Sequence, residues 1–113
     1  MSVTIYHNPR CSKSRQTLQL IEDKGIEPNI IEYLNTPPNQ TTLEDIVAML
    51  GVSPIDIVRR KEAKEAGINA ASMSDRDLIK AMTSIPSIIE RPIVVSKNKA
   101  AIGRPPENIL SIL

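Results

Sequence analysis

Two short apolar runs, Val3-Thr4-Ile5-Tyr6 and Asn29 to Tyr33, flank a single helical pattern, and that arrangement decides most of what this chain can fold into. Residues 12 to 24 carry Leu18, Ile21 and the stem of Lys24 at helical spacing, with Leu20 widening the stripe and Gly25 as a C-terminal stop. The second run begins after Pro28, centres on Ile30-Ile31 and closes at Asn35-Thr36-Pro37-Pro38. A strand, a helix of about three to four turns and another strand make a βαβ unit, whose strands are parallel and whose crossover is almost always right-handed. Open α/β sheets bind ligands beyond the carboxyl ends of such strands. Here the first of those ends is the break at Asn8-Pro9, and Cys11 follows it.

Cys11 is the only cysteine in 113 residues, so an internal disulfide is impossible. At a helix N-terminus a thiol faces unpaired backbone N–H groups and the positive end of the macrodipole, which favour thiolate. Arg10, Lys13 and Arg15 lie nearby, and the first acidic residue is Glu22, so every formal side-chain charge from Met1 to Ile21 is positive. A lone cysteine is more often a small buried hydrophobe. The polar and basic neighbours Arg10, Ser12, Lys13 and Ser14 do not suit a core, which turns the reading toward a reactive thiol. His7, four positions earlier, offers a switchable positive charge or a proton carrier. A histidine at a strand end held only by local hydrogen bonds is an equal reading.

Downstream, Thr41-Thr42-Leu43-Glu44 has the pattern of a capping box ahead of Ile46, Val47, Met49 and Leu50, and Gly51 ends that helix. Pro54 fits the first turn of a short helix through Ile57-Val58, leading into Arg59-Arg60-Lys61. Ser74-Asp75-Arg76-Asp77 opens a helix carrying Leu78, Ile79, Ala81 and Met82, which halts before Pro86. The stretch 41–84 is therefore mostly helical. Ile93 to Ser96 and Ala100 to Ile102 then form a hairpin about the turn Lys97-Asn98-Lys99. Gly103-Arg104-Pro105-Pro106-Glu107 starts a terminal helix whose docking face is Ile109, Leu110, Ile112 and Leu113. The order βαβ, helices, ββα is that of an α/β, thioredoxin-like (glutaredoxin-like) fold: one domain over 1–113, with a mixed four-stranded sheet flanked by helices and a helical insertion between strands 2 and 3.

Fourteen basic and thirteen acidic residues give a formal charge of +1, and the only aromatics are Tyr6 and Tyr33. A nucleic-acid binder would show a basic stripe and stacking aromatics, so none is expected. No apolar run approaches the ~20 residues of a membrane span. Met1-Ser2 leads straight into a strand pattern without a basic, apolar leader, so no signal peptide is expected. A reducing, cytoplasmic location follows.

The segment from Tyr6 to Arg15 (Tyr6-His7-Asn8-Pro9-Arg10-Cys11-Ser12-Lys13-Ser14-Arg15), with Ile89-Glu90-Arg91-Pro92-Ile93-Val94-Val95 and Ile102-Gly103-Arg104-Pro105 far downstream, resembles the glutaredoxin/glutathione-dependent arsenate reductase family. Tyr33 to Pro38 and the run Arg59-Arg60-Lys61 extend the resemblance over essentially the whole chain. It implies that Cys11 attacks arsenate and that three arginines hold the oxyanion: Arg59 (with Arg60 as the near alternative), Arg91 and Arg104. It also implies that Pro92 is the proline held in cis facing the cysteine. Glutathione enters as co-substrate and glutaredoxin as partner, with no tightly bound cofactor, no metal and a monomeric chain.

Elementary chemistry fits these roles. Arginine presents a planar, permanently charged fork that matches tetrahedral oxyanions. For Arg59 and Arg60, inside a charged helical stretch, a solvated surface role is an equal reading. Arg91 and Arg104 each stand directly before a proline at the mouth of an element. Ser14 occupies the place of a second cysteine in a dithiol protein, so any oxidised state of Cys11 needs an outside thiol. Ser14 itself is either a hydrogen-bond donor to the thiolate or a plain helix-surface serine. Lys13 departs from the small neutral residues usual there, and its charge suits arsenate, another oxyanion or a glutathione carboxylate. Two rival readings share the fold: a Spx-like regulator that binds RNA polymerase, whose two-cysteine switch Ser14 removes, and a glutathione-dependent thiol reductase acting on another small substrate.

Overall fold

The computed structural model describes residues Ser2–Leu113, which resolve into two compact units: the chain up to Thr36 together with Arg91–Leu113, and Pro37–Glu90. The first unit holds the sheet. Strands β1 (Val3–His7), β2 (Asn29–Glu32), β3 (Ile93–Ser96) and β4 (Lys99–Ile102) lie in the order β2-β1-β3-β4. β1 and β2 are parallel, with Ile5 opposite Ile30 and His7 opposite Glu32, while β1–β3 and β3–β4 are antiparallel. This is the mixed, thioredoxin-like sheet the element order predicts, with helix α1 (Ser12–Asp23) crossing over between β1 and β2.

β1 alternates buried and half-buried positions, as a central strand does. β2 is an edge strand, and Ile30, expected at its centre, is 48% exposed. Val3, Ile5, Ile21, Val94, Ile109 and Ile112 form the core, with Leu18 and Leu20 packed partly buried against it. The buried residues of α1 are Ser14, Thr17 and Ile21, so the helix turns two polar groups inward where the apolar stripe alone predicts leucines. Lys24 is exposed at the C-cap.

The hairpin turn is two residues long. Lys97 and Asn98 take φ of 56° and 61°, the left-handed pair that matches the twist of a two-residue hairpin. The terminal helix is a 3₁₀ segment, Pro106–Ile112, whose buried residues are Pro106, Ile109 and Ile112. At three residues per turn, positions three apart share a face. Leu110, expected to dock, is therefore exposed.

The second unit contains α2 (Gln40–Leu50), α3 (Arg60–Glu65), α4 (Asp75–Ser84) and three short 3₁₀ turns. α2 is capped by Asn39, whose Oδ1 accepts from Thr42 N–H at 2.8 Å, two residues ahead of the Thr41 cap read from the sequence. It ends at Gly51, φ 69°. Ser74 caps α4 through Asp77 N–H at 3.2 Å. Leu43, Ile46, Ile57, Leu78, Met82 and Ile88 are buried in this unit. No helix of the described residues is long and apolar enough to cross a membrane.

Candidate active site

β1 delivers His7 to its carboxyl end, and the chain turns through Asn8-Pro9-Arg10 into α1. Asn8 builds the turn. Its carbonyl accepts from Cys11 N–H at 3.0 Å, its Oδ1 accepts from Arg10 N–H at 3.0 Å, and its own N–H donates to Ser14 Oγ at 3.0 Å. Arg15 Nη1 adds a bond to the Pro9 carbonyl at 2.9 Å. Cys11 is thereby placed at the N-cap of α1 with extended backbone, φ −93° and ψ 123°, and its carbonyl accepts from Arg15 N–H at 3.0 Å. The side chain makes no capping hydrogen bond, yet the backbone N–H groups of Lys13 and Ser14 in this first turn favour its thiolate.

Cys11 is a half-buried free thiol. Burial pushes its pKa up. The Ser14 N–H, the hydrogen bond and charge of the Arg91 guanidinium, and the Lys13 N–H together outweigh that and hold the thiol below its ordinary value. Arg104 Nη2 lies 3.5 Å from the sulfur. Arg104 is held from two further points: its Nε donates to the Arg91 carbonyl at 2.8 Å, and its own carbonyl accepts from Asn108 Nδ2 at 2.9 Å. Pro92 is buried, the Arg91-Pro92 peptide is cis, as is Arg104-Pro105, and the Pro92 carbonyl accepts from Gly103 N–H at 2.9 Å.

His7 and Ser14 form a second layer under the thiol. His7 Nδ1 and Ser14 Oγ are 2.6 Å apart; His7 is 6% exposed and Ser14 fully buried. Ser14 is thus no surface serine: its hydroxyl serves His7 and the Asn8 N–H, and its backbone N–H serves the sulfur. Burial lowers the His7 pKa, with Glu32 on the neighbouring strand raising it and Arg15 lowering it.

Cys11, Arg91 and Arg104 come together, with His7 and Ser14 behind them. Arg59 and Arg60 belong to the helical unit. Arg59 Nε pairs with Glu62 at 3.0 Å and its Nη1 with Glu90 at 3.2 Å, and Arg60 is exposed at the start of α3. Asn8 holds the turn, and Thr17 Oγ1 approaches the Gly103 carbonyl at 3.5 Å, contacts that motif reading passes over. For Asn8 the cue is its place before a proline at a strand end, where a side-chain carbonyl stabilises a turn. For Thr17 and Gly103 periodicity offers no cue.

A thiolate set among two guanidinium groups and helix N–H donors can attack an anionic electrophile and hold the charge that develops on its oxygens. The model of the ArsC family matches residues 6–112, a span that contains every one of these groups. This chain belongs to the ArsC family. It is 49% identical to the uncharacterized protein YfgD of Escherichia coli K12, over 98% of this chain and 96% of that one. It is 45% identical to the arsenate reductase of Haemophilus influenzae, each chain covered in full. The solved structure of an arsenate reductase from Vibrio cholerae superposes with a TM-score of 0.94 at 46% identity, over 100% of this chain and 98% of that one. The resemblance drawn from the residues is thus met by the ArsC model over nearly the whole length, and the thioredoxin-like sheet by the structural match.

Proposed function

We propose that this ArsC-family chain is an arsenate reductase in which the Cys11 thiolate attacks arsenate and outside thiols complete the reduction. One observation carries the reading: Cys11 Sγ lies at the N-terminus of α1 with Arg104 Nη2 at 3.5 Å and the Arg91 guanidinium favouring its thiolate by hydrogen bonding and charge. Its relatives named arsenate reductase support it. Attack of the thiolate on arsenic, with loss of one arsenate oxygen as water, gives a Cys11–S–As(V) ester. Two further thiols are oxidised to one disulfide, and their two electrons take arsenic to As(III), released as arsenite when the Cys11–S–As bond hydrolyses. The sum is balanced: one arsenic acid and two thiols give one arsenous acid, one disulfide and one water. Because Cys11 is the only cysteine, both thiols come from outside. Glutathione supplies the first and glutaredoxin the second, the two leaving as a mixed disulfide in a reducing, cytoplasmic setting. His7 and Ser14 orient the loop that carries the thiol, Arg91 and Arg104 take the oxyanion, and Arg59, or Arg60 beside it, is the third arginine that the family resemblance supplies.

The test is a coupled assay with purified monomeric protein, arsenate, glutathione, glutaredoxin and recycled NADPH, beside Cys11→Ser. Arsenate-dependent NADPH loss that the substitution abolishes is the expected result. No loss above the Cys11→Ser background overturns the arsenate reading. Turnover of a small disulfide in place of arsenate would favour the glutathione-dependent thiol reductase.

A further inference from the structure

Gly103 is buried at the end of β4, directly before Arg104, and the space a side chain would need there is already filled. A Cβ built on Gly103 would press into Thr17 Oγ1, and it would meet Pro92 Cγ at 2.8 Å and Thr17 Cγ2 at 3.0 Å. Its φ lies outside the left-handed region, so the demand is for space and not for conformation. The neighbours have little room to give. Thr17 is fully buried on α1, its hydroxyl donating to the Lys13 carbonyl at 2.8 Å and reaching the Gly103 carbonyl at 3.5 Å. Pro92 is a buried ring whose carbonyl already accepts from Gly103 N–H. In a close-packed interior an added methyl group pushes side chains off their rotamers and shifts backbone.

The group displaced with it is Arg104. Gly103 N–H to the Pro92 carbonyl continues the β3–β4 ladder past Ile93 and Ile102. The next link, Arg104 Nε to the Arg91 carbonyl at 2.8 Å, carries the alignment into a side chain, and Nη2 then arrives 3.5 Å from Cys11 Sγ. We infer that Gly103 is a positioning residue: seated side-chain-free between Thr17 and Pro92, it sets where the Arg104 guanidinium meets the Cys11 sulfur and an anion drawn to it. Where that anion is the substrate, the inference rests on the proposed oxyanion chemistry; the seating of Arg104 on the thiol does not.

The test therefore reads the thiol without arsenate. Alkylation of Cys11 by anionic iodoacetate is compared with alkylation by neutral iodoacetamide in the full chain, for wild type, Gly103→Ala, Arg104→Met and the double variant, beside urea midpoints. The rate ratio reports the positive charge at the sulfur. Gly103→Ala is expected to lower the ratio roughly two- to fivefold, the scale of an exposed charge's pull on an anion, as Arg104→Met does, and the double variant is expected to match Arg104→Met alone. Adding Thr17→Ala to Gly103→Ala removes two of the three blocking contacts and should restore part of the ratio. Where Gly103→Ala does not fold, that pair carries the comparison. An unchanged ratio with a lowered urea midpoint, or a loss that persists in the Arg104→Met background, overturns the positioning role. If the ratios behave as expected and arsenate is not turned over, the substrate reading falls and the positioning role stands.

Discussion

Helix α1 packs by different rules at its two ends. Toward its C-terminus Ile21 joins Val3, Ile5, Val94 and Ile109 in the core, with Leu18 and Leu20 against them. Toward its N-terminus the same buried face presents Ser14 and Thr17, both completely enclosed. Apolar burial is non-directional and scales with area. A buried hydroxyl contributes little net stability, but it fixes geometry because an unmade bond there is costly. One end of the helix anchors the fold and the other holds the thiol in place.

If that division is real, substitutions at the two ends should separate stability from reactivity. Ile21→Ala, at a position with no exposure, should cost ~2–5 kcal/mol of stability. The iodoacetamide rate of Cys11 in the still-folded population should stay at the wild-type value. A stability loss with a matching fall in thiol reactivity would mean the two ends are not separable.

Ser14→Ala should do the reverse. It leaves the Asn8 N–H and His7 Nδ1 without their buried partner, a loss of about 1–3 kcal/mol. More tellingly, it frees the loop that presents the thiol. Plotted against pH, the wild-type alkylation rate should show a midpoint below the ~8.5 of a free thiol, since Cys11 is held below its ordinary value. Ser14→Ala should move that midpoint upward. A midpoint that stays put would confine Ser14 to packing.

His7 sharpens the comparison further, because it is a titratable group on the polar side. Burial lowers its pKa below the ordinary 6.5, Glu32 opposing and Arg15 assisting. The unfolded chain therefore takes up the proton first, so stability in full at and above pH 6.5 falls as the pH drops below it toward the folded pKa. Urea midpoints at pH 7.5 and 5.5 should differ more for wild type than for His7→Gln, by less than either preceding effect. Equal differences for the two proteins would place His7 outside the acid response.

Which parts were legible in the sequence follows from the same contrast. Periodicity reports apolar burial, so the strand–helix–strand order, the hairpin and α4 could be read directly, and the thiol's setting could be read from a strand-to-helix junction flanked by Arg10, Lys13 and Arg15. Buried polar groups leave no such trace. Ser14 sits among basic residues and looks like surface, Thr17 looks like an interruption of a leucine stripe, and Gly103 meets Thr17 across 86 residues of sequence, a separation no local pattern spans. The capping-box pattern at Thr41 places the start of α2 two residues late, because Asn39 supplies a capping oxygen of its own and takes the Thr42 N–H. Ile30 reads as core by composition alone, yet its strand is an edge.

The smallest expected effect tests the terminal apolar face, where the structure follows a period of three in place of 3.6. An α-helical reading of the terminal segment docks Leu110 with Ile109, whereas the 3₁₀ segment buries Pro106, Ile109 and Ile112, each three residues apart, and leaves Leu110 38% exposed. Seven residues is long for a 3₁₀ run. Leu110→Ser should then change stability by no more than about 0.5 kcal/mol. Ile109→Ala, from a site with no exposure, should cost ~2–5 kcal/mol. Urea midpoints decide between the two periods: comparable losses at both positions would mean that the segment docks as an α-helix in solution, with 3.6 residues per turn bringing Leu110 back to the core.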